Sequence, residues 1–128
     1  MSYIDGFVLA VPTANKQRFA EFAADIDPVF IELGAVRVLE CWADDVPDGK
    51  VTDFRRAVQA TDDETVVFSW IEWPDKAARD AGMARFLEIM EDDPRMDAEK
   101  NPPPFDGMRM IFGGFAPIVD IKAGDIRK

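Results

Sequence analysis

The stretch Thr65-Val-Val-Phe-Ser-Trp-Ile-Glu-Trp73 decides the fold, because its run of β-branched and aromatic residues is typical of a buried β-strand. A second apolar stretch, Tyr3-Ile-Asp-Gly-Phe-Val-Leu-Ala-Val-Pro12, has the same character and ends at a proline. Residues 35–42 and 108–115 are also predicted to be strands. The chain therefore contains enough strand for one four-stranded sheet.

Two helices are predicted between these strands. The first carries an apolar stripe and is interrupted by Pro28 before it ends at Gly34. The second begins at Pro74 and ends before residues 92–94. The resulting order, β-α-β-β-α-β, predicts an α+β, ferredoxin-like fold with an antiparallel sheet and both helices on one face. We expect residues 1–128 to form a single domain of this type.

Both faces of the predicted strands are apolar, although two helices can cover only one face. The two faces of the first strand carry, respectively, Phe7, Leu9 and Val11, and Ile4, Val8 and Ala10. An uncovered apolar face of this size needs a partner, and a second copy of the chain meets that need most simply. The pattern predicts a homodimer joined through the open sheet face.

Composition excludes several classes of function. The 128 residues include 15 Lys and Arg, 25 Asp and Glu, and no His, which gives a net charge of −10. Without His, the chain cannot provide Ser-His-Asp catalysis, His-ligated haem or imidazole-ligated zinc, and we expect neither a metal nor a cofactor. The acidic charge disfavours nucleic acid. No apolar run is long enough to span a membrane, the first residues do not resemble a signal peptide, and the single Cys41 permits no internal disulfide, so we expect a cytoplasmic protein.

Glu40 is the first candidate catalytic residue. Strand alternation places it on one face with Val38 and Trp42, so it lies among apolar neighbours. A partly buried carboxylate has a raised pKa and serves as an acid or base near neutral pH. The alternative is an ion pair with an arginine, such as Arg55, Arg56 or Arg109.

Glu72 is the second candidate. If the second and third strands direct Glu40 and Glu72 into one cavity, the two carboxyl groups could divide acid and base roles or hold a divalent cation. The alternative interpretation of Glu72 is a surface charge at the end of a strand, next to Pro74.

Candidate ligand-binding residues are two arginines and three large apolar side chains. Arg55 and Arg56 are adjacent and suited to an anionic group, although such arginines more often form ion pairs with an acidic surface. Trp42, Trp70 and Met110 are suited to a pocket for a flat apolar ligand, or to the core or a dimer interface.

Four stretches of the chain carry a family resemblance. The longest is Glu40-Cys-Trp-Ala-Asp-Asp-Val-Pro-Asp-Gly-Lys-Val-Thr-Asp-Phe-Arg-Arg56, and the others are residues 3–12, 67–80 and 105–115. Together they resemble the YbaA-like family of small bacterial proteins of unknown function. The resemblance implies membership of the dimeric α/β-barrel superfamily, in which two ferredoxin-like subunits pair their sheets into one barrel. It implies no established activity and no catalytic residues.

Three hypotheses of function follow from the sequence. The first is a homodimeric small-ligand-binding or accessory protein, whose ligand is apolar or aromatic. The second is a cofactor-free enzyme, similar to a monooxygenase or an isomerase, that uses a buried carboxylate. The third is a protein-interaction module without a small-molecule site.

Overall fold

The computed structural model describes residues 1–125, which form a four-stranded antiparallel sheet whose longer helices pack on one face. The sheet order is β2-β3-β1-β4. The strands are β1 (Tyr3–Pro12), β2 (Arg37–Trp42), β3 (Glu64–Trp73) and β4 (Ile111–Phe115). The helices are α1 (Lys16–Ile26), α2 (Pro28–Glu32), α3 (Phe54–Ala57) and α4 (Lys76–Ile89). This order confirms the predicted ferredoxin-like arrangement, to which α3 adds one short helical turn.

The two longest strands form the centre of the sheet. β1 pairs with β3 along its whole length, from Tyr3 opposite Trp73 to Pro12 opposite Glu64. β2 lies outside β3 and β4 lies outside β1, so these two shorter strands form the edges. The predicted fourth strand is shorter than expected, because residues 107–109 form a 3-10 turn before β4 begins.

Pro28 divides the first predicted helix, as the sequence indicates. Asp27 keeps helical backbone angles at the junction, where its N–H still donates to the Ala23 carbonyl at 2.8 Å. Pro28 has no N–H to continue this pattern, so α2 begins there as a separate piece. The side chain of Asp27 is thereby held between two helices and faces the sheet.

The largest fully buried side chain of the core between the helices and the sheet is that of Trp73. Trp73 is fully buried and contacts α4 at Gly82, where a Cβ would lie 2.6 Å from the indole ring. The Trp73 Nε1–H donates to the buried Asp5 carboxylate at 2.9 Å, and Arg79 binds the same carboxylate at 2.9 Å. These bonds join the end of β3 to β1 and α4.

The connection between α4 and β4 is folded against the helices. Arg18 and Asn15 donate to the backbone carbonyls of Pro102 and Pro104 at 3.3 and 3.1 Å. The Phe105 ring contacts Phe19 and Phe22 edge-on, at centroid distances of 5.8 and 5.9 Å. The connection therefore covers the start of α1 and contributes a side chain to the interior.

The face of the sheet opposite α1, α2 and α4, which we call the open face, is apolar. The segment that contains α3 covers one end of this face, where Phe54 contacts Phe68 edge-on and Val58 packs against Val66. Ile4 and Val8 of β1 are opposite Phe115 and Ile111 of β4, and paired residues share a face. Phe68 is 40% exposed and Phe115 is 62% exposed. None of the helices in residues 1–125 is both long and apolar enough to cross a membrane.

Candidate functional site

An apolar cavity lies between the sheet and the helices, and we call it the inner cavity. Its volume is about 260 Å³. The walls come from β1, β2 and β3 on one side and from α1, α2 and α4 on the other. Phe105 and Met110, from the connection after α4, complete the lining. The cavity has room for a small ligand, and nearly all of its lining is hydrocarbon.

A second depression, the outer crevice, opens between α1, α2 and the edge strand β2. Its volume is about 560 Å³. Trp42 forms part of its wall, and the Lys16 ammonium lies 5.6 Å from the centre of the Trp42 ring. Because β2 has no neighbouring strand on its outer side in residues 1–125, the crevice is accessible to solvent from the edge of the sheet.

Asp27 and Glu40 line both the inner cavity and the outer crevice, and we call them the carboxyl pair. Asp27 is held at the junction of α1 and α2, and Glu40 projects from β2 toward the helices. Their carboxyl groups lie within hydrogen-bonding reach of each other, and the Ser69 hydroxyl lies within reach of Glu40. The pair marks the boundary between an apolar interior and an open entrance.

The environment raises the pKa of both carboxyl groups. Burial raises the pKa of Asp27 from 3.8 to about 8, with further contributions from the hydrogen bond and the negative charge of Glu40. Desolvation also raises the pKa of Glu40, and hydrogen bonds from Asp27 and Ser69 partly offset this change. Water still reaches the Glu40 side chain from the outer crevice, so the desolvation of Glu40 is partial. At neutral pH Asp27 therefore retains its proton.

No arginine neutralises Glu40 among the residues that the structure describes. Arg109 instead forms a double ion pair with Glu64, at 2.7 and 2.6 Å, and it holds the pKa of Glu64 at about 2. Arg55 donates to the Glu64 carbonyl at 2.9 Å, and Arg56 lies 3.5 Å from Asp53. The three arginines are thus occupied away from the carboxyl pair.

The structure places Glu72 away from Glu40, on the opposite face of the sheet. Glu40 is opposite Ser69 in the β2–β3 ladder, whereas Glu72 is opposite Arg37, three positions further along β2 toward its beginning. An odd offset along a strand reverses the face. Glu72 accepts a hydrogen bond from the Trp70 indole at 2.9 Å on the open face. The two glutamates share no cavity, so the prediction of a joint site is wrong.

The remaining candidates divide between the two faces. Trp42 and Met110 lie on the helix side, where they line the outer crevice and the inner cavity, respectively. The ring of Trp70 packs edge-on against Phe68 on the open face, at a centroid distance of 5.6 Å. Arg55 and Arg56 line a small polar depression near α3. Trp42, Met110 and Trp70 therefore line depressions that Glu40 also lines, although the Trp70 ring packs on the open face.

Asp27 is a site residue that the sequence analysis missed. Its signal was an acidic residue next to Pro28, inside a stripe that is otherwise apolar on the core-facing side. A helix junction directs a side chain inward in a way that simple helical periodicity does not describe. In residues 1–125, no group of three acidic or thiol side chains converges in the way that a metal ion requires.

Comparisons with known proteins agree with the predicted family. A family model described as "Protein of unknown function (DUF1428)" matches residues 2–107. Uncharacterized protein YbaA of Escherichia coli (strain K12) is 56% identical over 120 residues, which cover 94% of this chain and 99% of that protein. The protein of the same name in Shigella flexneri has the same identity and coverage.

A solved structure supports the fold. The crystal structure of a dimeric ferredoxin-like protein from an uncultured marine organism superposes with a TM-score of 0.59 at 10% sequence identity. The superposition covers 94% of this chain and 98% of the other. The predicted ferredoxin-like fold is thereby confirmed.

Proposed function

The chain belongs to the DUF1428 family, and from this premise we propose that it is a homodimeric protein that binds a small, mostly apolar ligand in the inner cavity. The carboxyl pair is the polar anchor of the ligand. With one proton between them, Asp27 donates a hydrogen bond and Glu40 accepts one. A carbonyl, hydroxyl or amide group on an otherwise apolar molecule satisfies both.

One observation carries this proposal: two carboxyl groups, which have no cationic partner among residues 1–125, converge on a cavity of about 260 Å³ whose lining is otherwise apolar. Asp27 is largely removed from water, and this destabilises the fold unless the group gains a compensating partner, whereas Glu40 stays open to water at the outer crevice. A structural role alone is better served by an ion pair, such as the one between Glu64 and Arg109. A binding role explains why polar groups are kept at this position.

We propose that two copies of the chain associate through their open faces. Phe68, Ile111 and Phe115 expose apolar side chains there, and the adjacent crevice has a volume of about 740 Å³. Burial of such a surface stabilises an interface by about 25 cal/mol per Å² of apolar area before the costs of association are subtracted. The solved structure with a similar fold is described as dimeric, and this supports a second copy of the present chain as the partner.

Thermal-shift measurements with a panel of aromatic ketones, phenols and quinones test the binding proposal. We expect compounds that fit the inner cavity to raise the melting temperature in a concentration-dependent manner. Ala24→Phe places a large ring in the outer crevice at an exposed helix position, and we expect it to reduce the shift.

Gln17→Phe is the matched control, because Gln17 is exposed on the same helix and lines neither depression. The control variant should respond to the ligands as the unmodified protein does. If no compound in the panel shifts the melting temperature, or if Ala24→Phe responds like Gln17→Phe, the proposed entrance and cavity are wrong.

A further inference from the structure

We propose that Asp27 and Glu40 together catalyse proton transfer on a small carbonyl compound in the inner cavity, interconverting its keto and enol forms. This inference rests on the ligand site proposed above and assigns it a substrate class and a reaction. No redox cofactor or metal ion takes part in the reaction, because only protons move. The two residues act as one unit, in which one carboxyl group is the acid while the other is the base.

The position of the pair is the first argument. Both carboxyl groups line the inner cavity, and both also line the solvent-accessible outer crevice. A polar head of a ligand whose apolar part fills the cavity therefore meets the pair. The two groups lie within hydrogen-bonding reach of each other, so they also contact adjacent atoms of one small molecule. A carbonyl oxygen and the neighbouring carbon are such a pair of atoms.

The chemistry balances without any further reactant. The Glu40 carboxylate removes a proton from the carbon next to the carbonyl, and the electrons of that C–H bond form the C=C bond of the enol. The π electrons of the carbonyl form a new O–H bond with the proton that Asp27 releases. Afterwards Glu40 holds the proton and Asp27 is ionised, so the pair still carries one proton. The reverse step restores the starting state.

The surroundings suit this exchange of roles. Lys16, the one cationic residue that lines either depression, lies over the Trp42 ring at the entrance. Ser69 is opposite Glu40 in the β2–β3 ladder, and its hydroxyl lowers the pKa of Glu40 as a hydrogen-bond donor. α4 and the connection after it present Phe86, Phe105 and Met110, which are apolar. A cation in contact with the pair would keep both groups ionised, and its absence from the cavity lining leaves one proton available for transfer.

The shape and lining of the cavity define the substrate class. The ligand is a ketone or aldehyde that has a hydrogen on the adjacent carbon. Its remaining surface is hydrocarbon or aromatic, because the lining offers no further charged group beyond the pair. A volume of about 260 Å³ favours a compound with a single ring or a short chain.

Deuterium exchange in D2O tests the reaction without knowledge of the natural substrate. The probes are phenylacetone, phenylacetaldehyde and cyclohexanone, and NMR follows the loss of the proton signal next to the carbonyl. We expect the protein to accelerate exchange for at least one probe. Asp27→Asn and Glu40→Gln should each reduce that acceleration by about 100-fold or more, which is the usual contribution of a positioned acid or base.

The matched controls are Asp25→Asn and Glu21→Gln. Both residues are exposed on α1 and line neither depression, so we expect them to exchange the probes at the unmodified rate. Circular dichroism and the melting temperature verify that all four variants are folded. Equal exchange rates in the pair variants and the control variants would overturn the proposal.

Saturation-transfer NMR on the same probes separates the failure of catalysis from the failure of binding. If a probe binds and its exchange is not accelerated, the reaction is refuted while the ligand site stands. If no probe binds, the ligand site fails and the reaction fails with it. The supporting result is a probe that binds to Asp27→Asn as it does to the unmodified protein but exchanges only at the background rate.

Discussion

The carboxyl group of Asp27 lies within hydrogen-bonding reach of the carboxyl group of Glu40, although one is held by a helix junction and the other by an edge strand. Two carboxyl groups in hydrogen-bonding reach of each other cannot both be ionised without a large cost in free energy. The folded protein therefore retains a proton at a pH where free carboxylic acids have lost theirs.

This relationship predicts a dependence of stability on pH. The pKa of Asp27 is raised from 3.8 to about 8 on folding, so the folded state binds the proton more tightly than the unfolded state. Its contribution to stability is complete below the unfolded pKa and is lost as the pH rises toward about 8. Denaturant titrations at about pH 5 and about pH 9 should show a decline that Asp27→Asn reduces. Asp25→Asn should leave the decline unchanged, and a pH-independent midpoint in the unmodified protein would contradict the assignment.

The buried carboxylate of Asp5 is predicted to be a main contributor to stability. Asp5→Ala leaves the Trp73 N–H and the Arg79 guanidinium without their acceptor. We expect the free energy of unfolding to decrease by about 3 kcal/mol or more, as measured by urea denaturation. Asp80→Ala is the control, because Asp80 also contacts Arg79 but is largely exposed. A similar loss in both variants would show that the buried position of Asp5 is unimportant.

The contact between α4 and Trp73 predicts intolerance of any side chain at Gly82. A Cβ at this position would lie 2.6 Å from the indole ring and 3.0 Å from the Leu33 carbonyl oxygen. Although alanine favours a helix, we expect Gly82→Ala to destabilise the protein by about 1–3 kcal/mol in urea denaturation, because the core must shift. Gly107→Ala has no atom within 4 Å of its new Cβ and should change stability little. A stabilised Gly82→Ala variant would contradict this packing.

If two copies of the chain associate through the open face, a charge added to that face should weaken the dimer. Phe115 is 62% exposed, and its ring lies across Gly6 and Gly113. Phe115→Glu places a charge in the proposed interface, and we expect the dimer dissociation constant in sedimentation to increase about 10-fold or more. Leu87→Glu is the control, since Leu87 is 67% exposed on α4, in the helix layer. A chain that is monomeric before substitution would refute the interface.

The sequence predicts the strands well because their alternation is regular. It correctly places Glu40 on one face with Val38 and Trp42, all of which line the helix side. It does not predict the β2–β3 register, which separates Glu40 from Glu72, because register depends on pairing between strands that are distant in the chain. Asp27 was missed for a related reason. Its direction is set by the break at Pro28 and by the packing of two helices, which no local pattern encodes.

Because the two faces of the sheet have different roles, the ligand sites of two associated copies lie far from each other. The carboxyl pair and the inner cavity lie on the helix side, whereas the apolar surface that we assign to the partner lies on the opposite side. Each copy then contains every residue of its own site, and two sheets separate one site from the other. We therefore expect the two sites to fill independently, so that ligand saturation follows a simple hyperbola without cooperativity.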